Sequence, residues 1–241
     1  VRGVFVNSGL DLVVETHGES WAQGDKISGV ATINKSSGTP KIILGYGIIK
    51  KVRAKERSGW AVISSVDCHE KGDHKWSFDL SEDCMITDKS GSLFLLCGEG
   101  DAIENYGLLQ LTVNPHKVIS EYLNVFETFL KFKVKQIKGE KDHIKVKIDP
   151  PISNDYKSIE ALDLKIRFSS GVLKITYSFK VKKLVTNTSG DMAVINDKKD
   201  FEQELTAKEY HCYGGSPNFE TIQAKIKEVI EQANPKFFLQ K

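Results

Sequence analysis

Hydrophobic and polar positions follow two different rhythms along the chain. Up to residue 113, short runs rich in β-branched and aromatic residues alternate with turn residues, at 10–16, 26–34, 42–55, 60–66, 75–80, 92–97 and 107–113. Such runs read as strands. The gaps between them carry turn chemistry, as in Gln23-Gly24-Asp25, Ser36-Ser37-Gly38, Arg57-Ser58-Gly59 and Lys71-Gly72-Asp73. No helical period interrupts the series. Seven strands without helices must bury two sheets against each other, which predicts a β-sandwich over 1–113.

The rhythm changes at Asn114-Pro115, where a favourable N-cap precedes a proline tolerated at the first helical position. Ile119, Tyr122, Leu123, Phe126, Phe129 and Leu130 then recur at spacings of three and four, the apolar stripe of a helix near 116–130. From there the period becomes two. Strands are expected at 131–137, 144–148, 162–168 and 173–181, with hairpins at Gly139 and Ser169-Ser170-Gly171 and a fifth strand around 201–205. Ser216-Pro217 opens a second helix near 217–233, whose stripe is Phe219, Ile222, Ile226, Val229 and Ile230 and which Pro235 stops. The expected fold is therefore mainly β. A sandwich over 1–113 is followed, over 114–241, by an α+β antiparallel-sheet domain with two helices packed on one face.

Charge sharpens this picture. The 241 residues carry 34 basic and 32 acidic side chains, a net of +2. Hydrophobic residues make up 40% and charged residues 27%, which excludes wholesale disorder. No apolar run approaches the roughly 18 residues of a membrane span, and no basic-then-apolar leader opens the sequence as given. Resolved along the chain, the sum is uneven: 12 basic against 15 acidic residues up to 113, a net of −3, and 22 against 17 after it, a net of +5. Alternation places the apolar residues of the later strands on one sheet face. Lys131, Lys133, Lys135, Lys145, Lys147, Lys165, Arg167, Lys174, Lys180 and Lys182 fall on the other. Such a face keeps a sheet soluble and blocks edge pairing. It is also a candidate docking surface for an acidic protein or an anionic membrane surface. Aromatics are not interleaved with the lysines as a stacking platform requires, which argues against nucleic acid.

Candidate chemistry changes the picture little. The four cysteines include no CxxC pair, and a reduced, cytoplasmic protein is expected. Cys68-His69-Glu70-Lys71-Gly72-Asp73-His74 has the residue types of a zinc or copper site, but it lacks a second ligand pair and falls in an expected hairpin connection. Gly98-Glu99-Gly100-Asp101 follows a strand without the helix and Lys-Ser/Thr of a phosphate loop. Gly214-Gly215-Ser216-Pro217 precedes a helix, as in any capped helix. No GxSxG, HExxH or Walker-type motif occurs, and His17, His116 and His211 stand alone. No cofactor and no metal is expected. The tail Phe237-Phe238-Leu239 reads as a hydrophobic anchor, either for its own domain or for a partner.

Several segments resemble one family. Leu10-Asp11-Leu12-Val13-Val14, followed by the strand Trp21 to Ile33 with its Gly24-Asp25 turn and internal Gly29, is similar to the opening hairpin of arrestin-like domains. Trp76-Ser77-Phe78-Asp79-Leu80 resembles that family's mid-domain aromatic strand, and Leu109 to Pro115 its domain-ending strand. The helix from Val118 to Leu130 and the strand at Phe132-Lys133-Val134 resemble the bacterial sporulation-control members of the superfamily. The resemblance implies a non-catalytic scaffold that presents sheet edges and concave faces to partner proteins, with bacterial members acting as cytosolic regulators of developmental timing and cell division. The expectation is an intracellular adaptor working by protein–protein contact, with homodimerisation left open. The alternative is a small-ligand- or metal-dependent enzyme whose site lies in the groove between the two units, near 98–116.

Overall fold

The computed structural model describes the chain except residues 8, 55, 70, 187–191 and 235–241. It divides into two compact units, Val1–His116 and Lys117–Lys241.

The first unit is a sandwich of nine strands, β1 (Arg2–Asn7), β2 (Leu10–Thr16), β3 (Ser20–Ala22), β4 (Lys26–Lys35), β5 (Pro40–Ile48), β6 (Trp60–Asp67), β7 (Gly72–Asp79), β8 (Gly91–Glu99) and β9 (Gly107–Asn114). One sheet has the order β1-β2-β4-β7 and the other β3-β9-β8-β5-β6. Alternation selects the shared core. Leu10, Leu12 and Val14 of β2 and Ile27, Ala31 and Ile33 of β4 join one buried cluster with Ile42 and Leu44 of β5 and Leu93, Leu95 and Cys97 of β8. Each such aliphatic side chain contributes about 1.5–3 kcal/mol by leaving water. Gly29 is obligatory on β4. A Cβ there would lie 1.9 Å from the Glu15 carbonyl oxygen and 2.6 Å from the Trp76 ring.

Four expectations for this unit are corrected. The run at 42–55 is not one strand, because β5 ends at Ile48 and a short helix α1 (Ile49–Arg53) follows. Strands β1 and β3 were not anticipated; β3 has three residues and pairs parallel with β9, too short to show a period. The segment at 68–71 is not a hairpin connection, since β6 and β7 belong to different sheets. Asn114 caps no helix. It ends β9, and its carbonyl accepts the Gln23 amide at 3.1 Å.

The second unit is one antiparallel meander, β10 (Lys133–Gly139), β11 (Ile144–Asp149), β12 (Ile159–Ser169), β13 (Val172–Thr186) and β14 (Met192–Leu205), in that spatial order. Helix α2 (Lys117–Asn124) continues as a π turn over Val125–Phe129 and precedes the sheet; α3 (Ala207–Tyr210) and α4 (Phe219–Ala233) follow it. Val118, Ile119, Tyr122 and Leu123 of α2 and Ile222, Ile226, Val229 and Ile230 of α4 are buried, as are Leu162, Leu164, Tyr177 and Phe179 of the sheet. The hydroxyls of Tyr122 and Tyr177 hydrogen-bond to each other, and Tyr177 also donates to Gln203 Oε1 at 2.7 Å. Gln203 in turn donates to the Lys225 carbonyl of α4 at 3.2 Å. Lys199 Nζ reaches the Ala233 carbonyl at 2.9 Å, placing a cation at the negative end of the helix dipole. The cap of α4 is Asn218, whose side chain accepts the Thr221 amide, rather than Ser216. Strand β14 is 14 residues long, far more than 201–205 suggested, because the polar run Asn196–Asp200 in its middle hides the strand period.

Candidate functional site

The polar face of the second unit's sheet is built by register. Cross-strand partners Lys138, Lys145 and Lys165 form one row over β10, β11 and β12. The row continues to Thr176 on β13 and Glu202 on β14. Like charges placed directly opposite on a sheet repel, so this row is a local cost of the fold. The neighbouring row runs Gln136, Lys147, Asp163, Ser178 and Asp200. Arg167 lies opposite Lys174, which lies opposite Glu204.

The two flanks of this face differ in charge balance. On the β13–β14 side, Lys174 pairs with Glu204 at 2.7 Å and Lys198 with Asp200 at 2.9 Å. Ser178 donates to Asp200 at 2.6 Å. These two hydrogen bonds, that from Ser178 first, hold the Asp200 carboxyl below the usual range. Lys182 pairs with Glu160 at 2.9 Å, while Lys180 lies opposite Lys198 and forms no ion pair among the described residues. On the β10–β12 side, Lys133, Lys145, Lys147 and Lys165 form no ion pair within 4.0 Å among the described residues. Two contacts moderate that flank. Lys135 meets Asp149 at 2.7 Å, and Lys138 meets Glu140 at 2.7 Å. The hydrogen bond from Lys138 holds the Glu140 carboxyl below its usual range. A shallow depression of about 240 Å³ lies there, lined by Gln136, Lys138, Glu140, Lys145 and Lys147.

The structure sorts the expected basic residues. Lys145, Lys147, Lys165, Arg167, Lys174, Lys180 and Lys182 stand at alternating positions of their strands, opposite the buried set. Lys133 lies opposite Asp149 at the start of β10. Lys131 does not belong to the sheet: it precedes β10 at φ 60°, in the left-handed region, where the Phe132 amide returns to the Phe126 carbonyl. It ends the helix as a glycine often does. Lys135 sits at a β-bulge between Val134 and Gln136, which shifts the register by one and reverses the faces beyond it. For that reason Lys138, which strict alternation would put with the core, joins the charged row. The expected strand at 201–205 contains Glu202 and Glu204 but not Asp197 and Asp200, which the longer β14 adds to the sheet.

The remaining candidates are dispersed. Cys68 is buried in the sandwich core beside Cys97, and burial raises both thiols. Burial likewise pushes Cys84 up to about 12. Among the described residues no group of three or more His, Cys, Asp or Glu side chains could hold a metal ion. Glu99 of the glycine-rich loop is used structurally, accepting from Ser37 Oγ at 2.6 Å and the Gly38 amide at 3.1 Å. The anchor Phe237-Phe238-Leu239 lies outside the described residues. No described helix is long and apolar enough to cross a membrane.

Neither a family model nor a curated protein sequence matches this chain. Solved structures do. Spo0M, the sporulation control protein of Bacillus subtilis, matches with a TM-score of 0.62 over 95% of this chain and 100% of its own, at 12% identity. The chain has the arrestin-like fold of the sporulation-control proteins. At that identity the likeness concerns the fold. It reaches well past the segments at 10–33, 76–80 and 109–134 that carry the sequence resemblance.

Proposed function

We propose that this arrestin-like chain is a non-catalytic regulatory adaptor of the cytoplasm, acting through contact with a partner protein, and that the β10–β12 flank docks an acidic segment of that partner. Two observations support the reading. The fold is shared over 95% of the chain with a protein named for sporulation control. The row Lys138–Lys145–Lys165 places like charges opposite one another, a cost that an acidic ligand relieves. This row carries the proposal.

A fluorescent peptide of consecutive glutamates tests it, with vesicles of phosphatidylserine and phosphatidylcholine as comparator. Wild-type protein binds the peptide, and the double variant Lys145→Glu/Lys165→Glu weakens binding at least tenfold at about 0.15 M salt, where screening acts over about 8 Å. Binding to vesicles without binding to the peptide overturns the protein-docking reading in favour of a membrane. Unchanged affinity in the double variant overturns the assignment to this flank.

A further inference from the structure

The first unit holds a pocket that the sandwich core does not explain. Strand β8 is buried along both faces from Gly91 to Gly98. Its inward residues join the main core, while Phe94 and Leu96 join a second cluster with Ile43, Val52 and Tyr106 on the opposite face of the sheet. The cover comes from α1 and from the turn at Ile103–Asn105. Beside this cover lies a half-open pocket of about 500 Å³, within the size range of small-molecule sites.

Its shape is built into the backbone. Gly47 has no room for a side chain, since a Cβ would lie 2.6 Å from Val52 and 2.7 Å from the Trp60 ring. Gly98 is similarly covered by the Tyr106 ring at 2.6 Å. Trp60 and Phe94 meet edge to face, with centroids 5.2 Å apart and planes at 82°. The Tyr106 hydroxyl is anchored on the Gly100 carbonyl at 2.7 Å. Trp60, Phe94, Leu108, Ile49, Val52 and Ile103 supply its apolar lining.

The rest of the pocket is polar and of one sign. Arg53, Asn105 and Gln110 are its polar lining, and Arg53 is the one charged residue among the described lining residues. Among the described residues none of these three side chains forms a hydrogen bond or an ion pair with another. Lys50 and Lys51 share the last turn of α1 with Arg53. A guanidinium that forms no ion pair among the described residues, in the same lining as two amide side chains and the Trp60 and Phe94 rings, suits an anion carried on an apolar body.

We propose that this pocket binds a small amphipathic carboxylate, its apolar body over Trp60 and Phe94 and its anionic head on Arg53. The site is distinct from the charged sheet face and does not depend on the adaptor reading. Decanoate is the probe, with decylamine and decanol as controls, followed through tryptophan fluorescence. Trp21 and Trp76 are buried in the sandwich core, so Trp60 is the tryptophan placed to respond. Decanoate binds wild-type protein at least tenfold more tightly than decylamine. Arg53→Glu removes that preference, while decanol binding changes less than threefold. Leu108→Glu, at a half-exposed lining position, weakens all three. Equal affinity for anion and amine in wild-type protein overturns the proposal, as does an anion preference that survives Arg53→Glu. Absence of decanoate binding at millimolar concentration overturns it as well.

Discussion

Strands β8 and β12 are both central in their sheets, yet they are buried in opposite ways. β12 alternates, with Leu162, Leu164, Ile166 and Phe168 buried and Lys165 and Arg167 exposed. β8 shows no alternation, because helix and turn residues cover its second face and Ser92 through Cys97 are all buried. One strand therefore displays a charged surface, and the other supports an internal one. A strand's sequence rhythm reports how many of its faces the fold has covered.

The largest expected effect sharpens this contrast. Phe94→Ala, on the second face of β8, costs about 3–5 kcal/mol in urea unfolding, as a buried aromatic does. Lys165→Ala, on the second face of β12, changes stability by no more than about 0.5 kcal/mol. Comparable costs for the two would show that the β8 cover does not form in solution.

An intermediate effect is expected where the second unit's helices meet its sheet. Tyr177→Phe leaves the Tyr122 hydroxyl and Gln203 Oε1 without their shared partner. Burial pushes both tyrosine hydroxyls up, so the network stays protonated at any physiological pH. Removing one buried hydroxyl from it costs about 1–3 kcal/mol, again read from urea unfolding. A loss below about 0.5 kcal/mol would mean that the chain from α2 through Tyr177 and Gln203 to α4 is not made.

Sequence pattern captured much of this. Strand β2 begins and ends where its run of apolar residues does, and the stripes of α2 and α4 supply most of the buried residues of both helices, although Val118 and Ala233 are buried outside them and Phe129 is exposed. Patterning failed where its physical basis is absent. The continuous run Leu93 to Leu96 gives no clue to which face is inward, so the second cluster and its pocket stayed hidden. The bulge at Lys135 inverted the later part of β10, and nothing in the sequence marks it apart from Gln136 standing where alternation expects an apolar residue. The charged face itself was legible from Lys145, Lys147, Lys165 and Arg167. Its division into a partly paired and a more basic flank was not, because that depends on Asp200, Glu202 and Glu204 of β14 arriving beside β13.

The smallest expected effect concerns that partly paired flank. The Asp200 carboxyl, held low by Ser178 and Lys198, titrates nearer its ordinary value in Ser178→Ala. Because the folded carboxyl titrates low, its contribution to stability is present above the ordinary carboxylate range and is lost as pH falls through the lowered value. Carboxyl carbon NMR follows the titration, and an Asp200 midpoint that does not rise in Ser178→Ala would contradict the arrangement.

In the proposed function, the two flanks of one sheet face differ in what they bind. The most direct measurement compares glutamate-peptide affinity at several salt concentrations for wild-type protein, Lys145→Glu/Lys165→Glu and Lys180→Glu/Lys182→Glu. The first pair is expected to weaken binding at least tenfold and to flatten its salt dependence, while the second pair leaves each within about threefold, a difference below 1 kcal/mol. Equal losses from the two pairs would contradict it.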